Sequence, residues 1–305
     1  MQTVLISGGT GLVGKTLSKQ LLDKGYKVII LTRKIPANVD PLLQYALWDV
    51  SKKTIDASAI KAADFIVHLA GAGVVDKKWT ASYKKEILDS RTQSSALLIT
   101  ALQQHNNKVK AVISSSAIGW YGADNGNKPF VETAIHAPGF LGETCKLWEQ
   151  SIEPVQALGK RLVKLRTGIV LSNEGGALAE FKKPIKFGIA GILGNGKQII
   201  SWIHIDDLCR MFINAIENEQ LNGSYNAVAP HPVNNETLTL KLAKLIKGNF
   251  FIPIPVPTFI LKIMLGDRSV EVLKSTTVSS KKIEQSGFTF LYPGIDEALE
   301  ELCGK

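Results

Sequence analysis

"VLISGGTGLVG", residues 4–14, is the stretch on which the reading of the fold turns. An apolar run of strand length stops at Ser7; Gly8, Gly11 and Gly14 follow at three-residue spacing. Val13, Leu17 and Leu21 then recur every fourth residue, as on one helix face. Strand, tight turn and helix in that order open a dinucleotide-binding unit. Gly8 permits the turn, Gly11 lets backbone N–H groups approach a pyrophosphate at the positive helix end, and Gly14 lets helix and strand pack closely. Thr10, Leu12 and Val13 complete the candidate diphosphate loop.

Along the rest of the chain, apolar runs of strand length at 3–7, 27–32, 45–48, 64–69, 109–114, 162–170 and 224–228 alternate with helix-period segments, the longest at about 79–103. Continuous apolar strands separated by helices predict an α/β fold, a Rossmann-type doubly wound parallel sheet covered on both faces. Past residue 171 the texture becomes glycine-rich, then helical with proline-rich turns. The expected division is a dinucleotide-binding domain at 1–171, completed by about 200–228. A smaller, mostly helical substrate-side lobe would comprise 172–199 and 229–305.

The second strand indicates which dinucleotide. An NAD enzyme ends it with an acidic residue on the ribose 2′-hydroxyl, whereas "VIILTRK" (28–34) ends with Thr32, Arg33 and Lys34. Cations there suit a 2′-phosphate, so NADP(H) is favoured over NAD(H). Asp49, closing the third strand in "ALWDV" (46–50), is placed to reach the adenine amino group or to stand exposed at a strand end.

The totals narrow the partners. The 305 residues, 45% hydrophobic and 21% charged, belong to a folded globular chain. The net charge of +9 comes from scattered lysines with no aromatic–basic block, which argues against nucleic acid. Residues 250–266 are the most lipid-like, but prolines and Lys262 interrupt them and they are too short to span a bilayer; no membrane partner is expected, and the segment reads as a substrate cover or homodimer contact. Cys145, Cys209 and Cys303 are too widely spaced for a metal site or disulfide framework. The first residues read as a strand and not a signal peptide, so the expected location is cytoplasmic and reducing.

Three further stretches, "DFIVHLAGAG" (64–73), "VISSSAIGWYG" (112–122) and "SWIHIDDL" (201–208), together with the glycine turn, resemble the extended short-chain dehydrogenase/reductases of the NAD-dependent epimerase/dehydratase superfamily. "KKWTASYKKEILDSR" (77–91), "LRTGIVLSNEGGAL" (165–178), "GNGKQIISWIHIDDL" (194–208) and "YNAVAPHPVNNETL" (225–238) are similar to its branch of epimerase family proteins. The resemblance implies that Leu69, Ala70 and Gly71 form the loop under the adenosine ribose and pyrophosphate, with His68 a packed strand-end residue. It places Glu86 and Arg91 on a helix face toward the cofactor, unless they are surface charges, and Thr167, Gly168 and Val170 beside the nicotinamide.

The resemblance also assigns Ser116 as the catalytic serine and Lys146 as the lysine that holds the nicotinamide ribose. The family's proton-passing tyrosine stands four residues before that lysine, on the same helix face, and here that position is Gly142. Three replacements stay open: Tyr121 swinging in, Glu143 or Cys145 serving, or no side chain at all. Asp206 is expected to cap its helix, His204 to be a packing residue, and Arg166 to contact substrate or close a strand. The expected activity is hydride transfer on a hydroxy- or keto-bearing small molecule, such as a sugar nucleotide, by a reductase or epimerase; the alternative is a dinucleotide-binding sensor or interaction protein.

Overall fold

The computed structural model describes residues 1–37, 41–126 and 128–304. From the amino end the chain runs β1 (Thr3–Ser7), α1 (Leu12–Asp23), β2 (Lys27–Thr32), β3 (Leu43–Asp49), β4 (Thr54–Ile55), α2 (Ala57–Ala62), β5 (Phe65–His68), α3 (Ala81–Gln104), β6 (Ala111–Ala117), α4 (Phe140–Ile152) and β7 (Arg161–Thr167). It continues through β8 (Ile169–Ser172), β9 (Gly175–Gly176), α5 (Ala177–Lys186), β10 (Ile189–Leu193), β11 (Ile199–Ile200), β12 (Trp202–His204), α6 (Ile205–Glu217) and β13 (Gly223–Ala227). The remainder adds β14 (Val233–Asn234), α7 (Asn235–Lys247), β15 (Ile252–Val256), α8 (Thr258–Leu265), α9 (Ser269–Leu273), α10 (Lys281–Gln285) and α11 (Ile295–Cys303).

The main sheet has eight strands in the order β13-β7-β6-β5-β1-β2-β3-β4. Every pairing in it is parallel except that of the short β4 with β3. Strand order reverses at β1, whose neighbours are β2 and β5, and a crevice opens there at the carboxyl ends of the strands.

Alternation along the buried strands splits their side chains between two layers. Val4, Ile6, Val67, Ile113 and Leu165 pack with Leu17 and Leu21 of α1 and with α6. Leu5, Ile66, Val112 and Leu162 pack on the other face with α2 and α3. A fully buried side chain of this size contributes about 2 kcal/mol, so these two layers carry most of the sheet's stability. A third cluster joins α5, α7 and α11 around Leu178, Leu238, Leu242 and Leu299.

Three details depart from expectation. The run 162–170 is two strands: the chain leaves the main sheet at Gly168 and β8 pairs with β12, in a close approach where a Cβ on Gly168 would come 2.6 Å from the Ser201 carbonyl oxygen. β6 extends through Ala117, so Ser114, Ser115 and Ser116 lie within a strand and face alternately. The cap of α6 is His204 and not Asp206: the His204 Nδ1 accepts the Asp206 N–H at 3.1 Å, while Asp206 accepts from the Gln20 amide at 2.9 Å. With Nδ1 accepting, Nε2 holds the proton and donates to Glu301 at 2.8 Å, which keeps His204 a packed structural residue. Among the described residues no helix is long and apolar enough to cross a membrane.

Candidate functional site

The glycine turn sits at the crevice. Gly8 has φ of +75°, and a Cβ on it would lie 2.9 Å from the Leu69 carbonyl carbon, so both conformation and space demand glycine. A Cβ on Gly14 would lie 2.5 Å from the Gly8 oxygen, which lets α1 start directly against the turn. The Gly11 N–H donates to the Gly8 carbonyl at 3.1 Å and closes the turn. No side chain caps α1, and its first turn carries no acid. The amino end of α1 therefore offers its orphan N–H groups and positive dipole to an anion, while Thr10 stands exposed beside it. A cavity of about 210 Å³ lies here, lined by Gly8, Gly11, Leu12, Leu69, Ser115 and Thr167, with Val13 and Gly14 also on its wall. A hollow of about 280 Å³ beside Gln2, Lys24 and Glu217 lies at the opposite end of β1 and is far from this chemistry.

At the end of β2, the Thr32 hydroxyl donates to the Lys34 carbonyl at 2.8 Å and fixes a tight turn. Arg33 and Lys34 are exposed on that turn, and neither makes an ion pair among the described residues. Asp49 Oδ1 accepts from the Ser51 hydroxyl at 2.6 Å and from the Ser51 and Lys52 N–H groups. The Ser51 hydroxyl, followed by the Lys52 N–H, holds this carboxyl below the ordinary aspartate range. One oxygen is thus committed to the turn; the other lies 3.7 Å from the Lys52 ammonium.

The loop after β5 forms the other wall. The Leu69 N–H donates to Ser7, and the Ala72 N–H donates to the Ser90 hydroxyl at 2.9 Å, which leaves Ala70 and Gly71 strung between. Arg91 is 8% exposed, lies 4.8 Å over the Trp148 ring, and donates to the Ala72 and Ile87 carbonyls. A Cβ on Gly71 would come 3.1 Å from its guanidinium carbon, so Arg91 shapes the loop from beneath. Glu86 stands on the exposed side of α3, paired with Lys77 at 3.2 Å. His68 is fully buried: Nδ1 bonds Ser7 at 2.6 Å, and Nε2 lies near Ser94 and Ser95. Burial, with the nearby Arg91 charge, pulls its pKa down to about 4, so the ring is neutral at physiological pH.

At the far end of the cavity the serine run divides by parity. Ser115 shares its face with Ile113 and lines the cavity beside Thr167. Ser116 points to the opposite face, is 2% exposed, and donates to Glu149 Oε1 at 2.7 Å. Glu149 is itself the hub of a buried cluster: Arg166 grips it bidentately at 2.8 and 3.1 Å, with Lys164 at 3.2 Å and the Ser224 hydroxyl at 3.1 Å. Burial alone would raise the Glu149 carboxyl, but the hydrogen bonds and charge of Arg166 outweigh it and hold the group below its usual range. Arg166 also lies 3.7 Å over the Trp120 ring.

Tyr121 belongs to the same cluster. It is 3% exposed, donates to the Asn226 side-chain oxygen and accepts from Arg166 at 3.0 Å. Burial pushes its hydroxyl up to about 12. Cys145 is buried and likewise pushed up to about 12 by burial. Lys146 is partly exposed on α4, with its ammonium 3.4 Å from Glu143. Gly142 is buried, and a Cβ there would come 2.0 Å from the Ala137 oxygen. Gly168 packs against Ser201, and Val170 against the core beside α6.

Sequence reasoning passed over Ser115 and Glu149. The signal for Ser115 was available: two residues beyond the inward-facing Ile113 on a strand, it shares that face, whereas Ser116 does not. Glu149 carried no comparable signal, because a lone glutamate on an amphipathic helix reads as surface charge.

The profile of the NAD dependent epimerase/dehydratase family matches residues 4–140, and that of a domain of unknown function (DUF1731) matches residues 256–302. An epimerase family protein of Staphylococcus haemolyticus is 34% identical over 302 residues, which cover 99% of each chain. The chain belongs to the NAD-dependent epimerase/dehydratase family. Another epimerase family protein, from Staphylococcus saprophyticus, is 34% identical over 303 residues and again covers 99% of both chains. Among solved structures, this family member superposes on a human epimerase family protein crystallised with NADPH, with a TM-score of 0.87 and 26% identity over 99% of both chains. It also superposes on a nucleoside-diphosphate sugar epimerase from Corynebacterium glutamicum, with a TM-score of 0.78 and 32% identity over 99% of this chain and 58% of that one. The Rossmann-type architecture predicted from the glycine turn is thus the fold of an extended short-chain dehydrogenase/reductase.

Proposed function

We propose that this epimerase-family chain binds NADP(H) along the glycine turn and acts as a hydride-transfer protein on a hydroxy- or keto-bearing small molecule, of which a sugar nucleotide is one example. The observation that carries the reading is the uncapped amino end of α1 beside Gly8, with Arg33 and Lys34 exposed just past the end of β2 and without an ion pair among the described residues. The helix end suits a diphosphate, and the two cations suit a 2′-phosphate. The NADPH in the human relative's crystal supports this choice.

In this reading Gly8, Thr10, Gly11, Leu12, Val13 and Gly14 cradle the diphosphate. Thr32 orients Arg33 and Lys34, Asp49 meets adenine through its second oxygen, and Leu69, Ala70 and Gly71 support the ribose. Arg91 acts by holding that loop, and Glu86 stays in solvent. Lys146 reaches the second ribose. When bound, the nicotinamide supplies or accepts a hydride.

The proton half of the reaction differs from the family scheme. Ser115 and Thr167 are the hydroxyls on the cavity wall; they orient the reacting oxygen. Ser116, Glu149, Arg166 and Tyr121 tie α4 to β6 and β7 and position that wall without touching substrate. No side chain stands at the tyrosine position, so the proton comes from solvent or from the substrate's own acidic group. NADPH oxidation measured anaerobically against a library of carbonyl compounds tests this. Turnover lost in Ser115→Ala and kept in Ser116→Ala is expected; the reverse pattern overturns the assignment.

The engagement of Ser116 and Tyr121 in buried bonds also favours a second reading, a dinucleotide sensor without turnover. A redox sensor must bind NADP and NADPH with different affinities, because a ligand shifts an equilibrium only through differential binding. Equal affinities would remove that reading.

A further inference from the structure

The carboxyl ends of α5 and α7 meet at one corner of the molecule, and the residues there combine two properties that surface loops seldom share. Phe187 and Phe250, each just past the end of its helix, are both 86% exposed. They are neighbours: the Ile252 N–H donates to the Gly188 carbonyl at 2.8 Å, and Ile189 pairs with Ile252 where β10 meets β15. Ile252 is 66% exposed, and Ile254, farther along β15, and Phe259 and Ile263 on the following helix α8 are exposed as well. Phe251, next in sequence to Phe250, turns inward onto the α5–α7 core, so the outward placement of Phe250 does not come from packing need.

The segments that carry these exposed apolar residues are basic, and the nearest acids along the chain, Glu180 and Asp267, are paired with Lys183 and Lys84. Segments 181–205 and 237–266 together carry eight lysines and no aspartate or glutamate. Lys186, Lys244, Lys247 and Lys262 make no ion pair among the described residues. A lysine in the last turn of a helix complements the helix dipole, which accounts for some of these positions. It does not account for two bare phenyl rings beside them.

We infer that this corner is an interfacial anchor that seats the protein on a bilayer bearing anionic headgroups, with Phe187, Phe250 and Ile252 entering the headgroup boundary and the lysines lying on the charged surface. Aromatic side chains ringed by lysine fit such a boundary. A second copy of the chain fits worse, since a two-fold contact would bring lysine rims of like sign together. Strand addition fits worse still. β15 donates to its neighbour through Ile252, and the alternate positions that would face an added strand, 253 and 255, are prolines without an N–H. Residues 250–266 are interrupted by prolines and Lys262 and are too short to cross a bilayer, the ground for expecting no membrane partner; neither feature bears on lying at its surface.

The test is co-sedimentation of the full chain with vesicles of phosphatidylcholine alone and of phosphatidylcholine with about one-third phosphatidylglycerol. Sedimentation only with the anionic vesicles, released by high salt, is expected. Lys244→Glu with Lys247→Glu, and separately Phe187→Ser with Phe250→Ser, should each lower partitioning at least about tenfold. Both variants should keep the wild-type melting temperature and NADPH affinity, which separates lost anchoring from misfolding. Failure to sediment with either vesicle, or undiminished sedimentation of both variants, overturns the proposal. So does a dimer in light scattering that Phe250→Ser dissolves while vesicle binding is absent.

Discussion

Gly142 lies against the Ala137 carbonyl so closely that a Cβ on it would stand 2.0 Å from that oxygen. The position to which the sequence resemblance assigns a proton-passing tyrosine therefore has backbone packed against it as well as no side chain. Alanine in a helix interior normally improves on glycine by about 1 kcal/mol. Here the sign should invert: Gly142→Ala lowers the melting temperature, and Gly142→Tyr lowers it further without creating carbonyl reduction. A stabilised alanine variant in a thermal scan would show that the 137 backbone moves aside freely.

Ser116 and Ser115 separate stability from chemistry. Ser116→Ala removes a hydrogen bond to a buried carboxylate, worth about 1.5–3 kcal/mol, and should shift the denaturation midpoint while leaving NADPH affinity intact. Ser115→Ala should do the opposite, reducing turnover with a midpoint near wild type. Urea titration beside a single-turnover assay reads both.

Glu149 and Arg166 form the charged pivot between α4 and β7. Arg166→Met strands a carboxylate that is 3% exposed, with Lys164 as its remaining cation, and should cost about 3–5 kcal/mol. Adding Glu149→Leu to that variant should recover part of the loss, because the uncompensated charge is gone. A double-mutant cycle by chemical denaturation gives the coupling; strict additivity would mean that the two groups do not depend on each other.

His68 sets an acid limit. Its folded pKa of about 4 lies below the ordinary 6.5, so the unfolded chain binds the extra proton between these values and stability falls as pH drops through that window. The loss between pH 7 and pH 4 is on the order of 3 kcal/mol for this group. Glu149 adds to it in the same direction, since its lowered carboxyl pKa contributes stability that is present above the unfolded value and lost in acid. His68→Gln should flatten the melting-temperature profile between pH 6.5 and pH 4; an unchanged slope would place the titration elsewhere.

The sheet was legible because its strands are continuous apolar runs and its first turn needs glycine for reasons of space that sequence alone conveys. The place of Arg33 and Lys34 just past the end of β2 was legible for the same local reason. The break at Gly168 was not legible, since β12, the strand that β8 joins beyond it, comes from a distant segment. The clustering of Ser116, Glu149, Arg166 and Tyr121 was equally hidden: it needs α4, β6 and β7 in register, and no local spacing encodes that. His204 displaced Asp206 as the cap because the Glu301 carboxylate and the Tyr292 ring, both far along the chain, fix its imidazole.

In the proposed reading the uncapped end of α1 and the Arg33–Lys34 turn together hold a phosphorylated dinucleotide. Calorimetric titration of the purified chain with NADPH and with NADH tests it most directly. NADPH should bind about 10- to 100-fold more tightly than NADH, and Arg33→Ala with Lys34→Ala should remove that margin while leaving NADH affinity unchanged. No heat with either nucleotide, or a margin that survives the double substitution, would contradict the account.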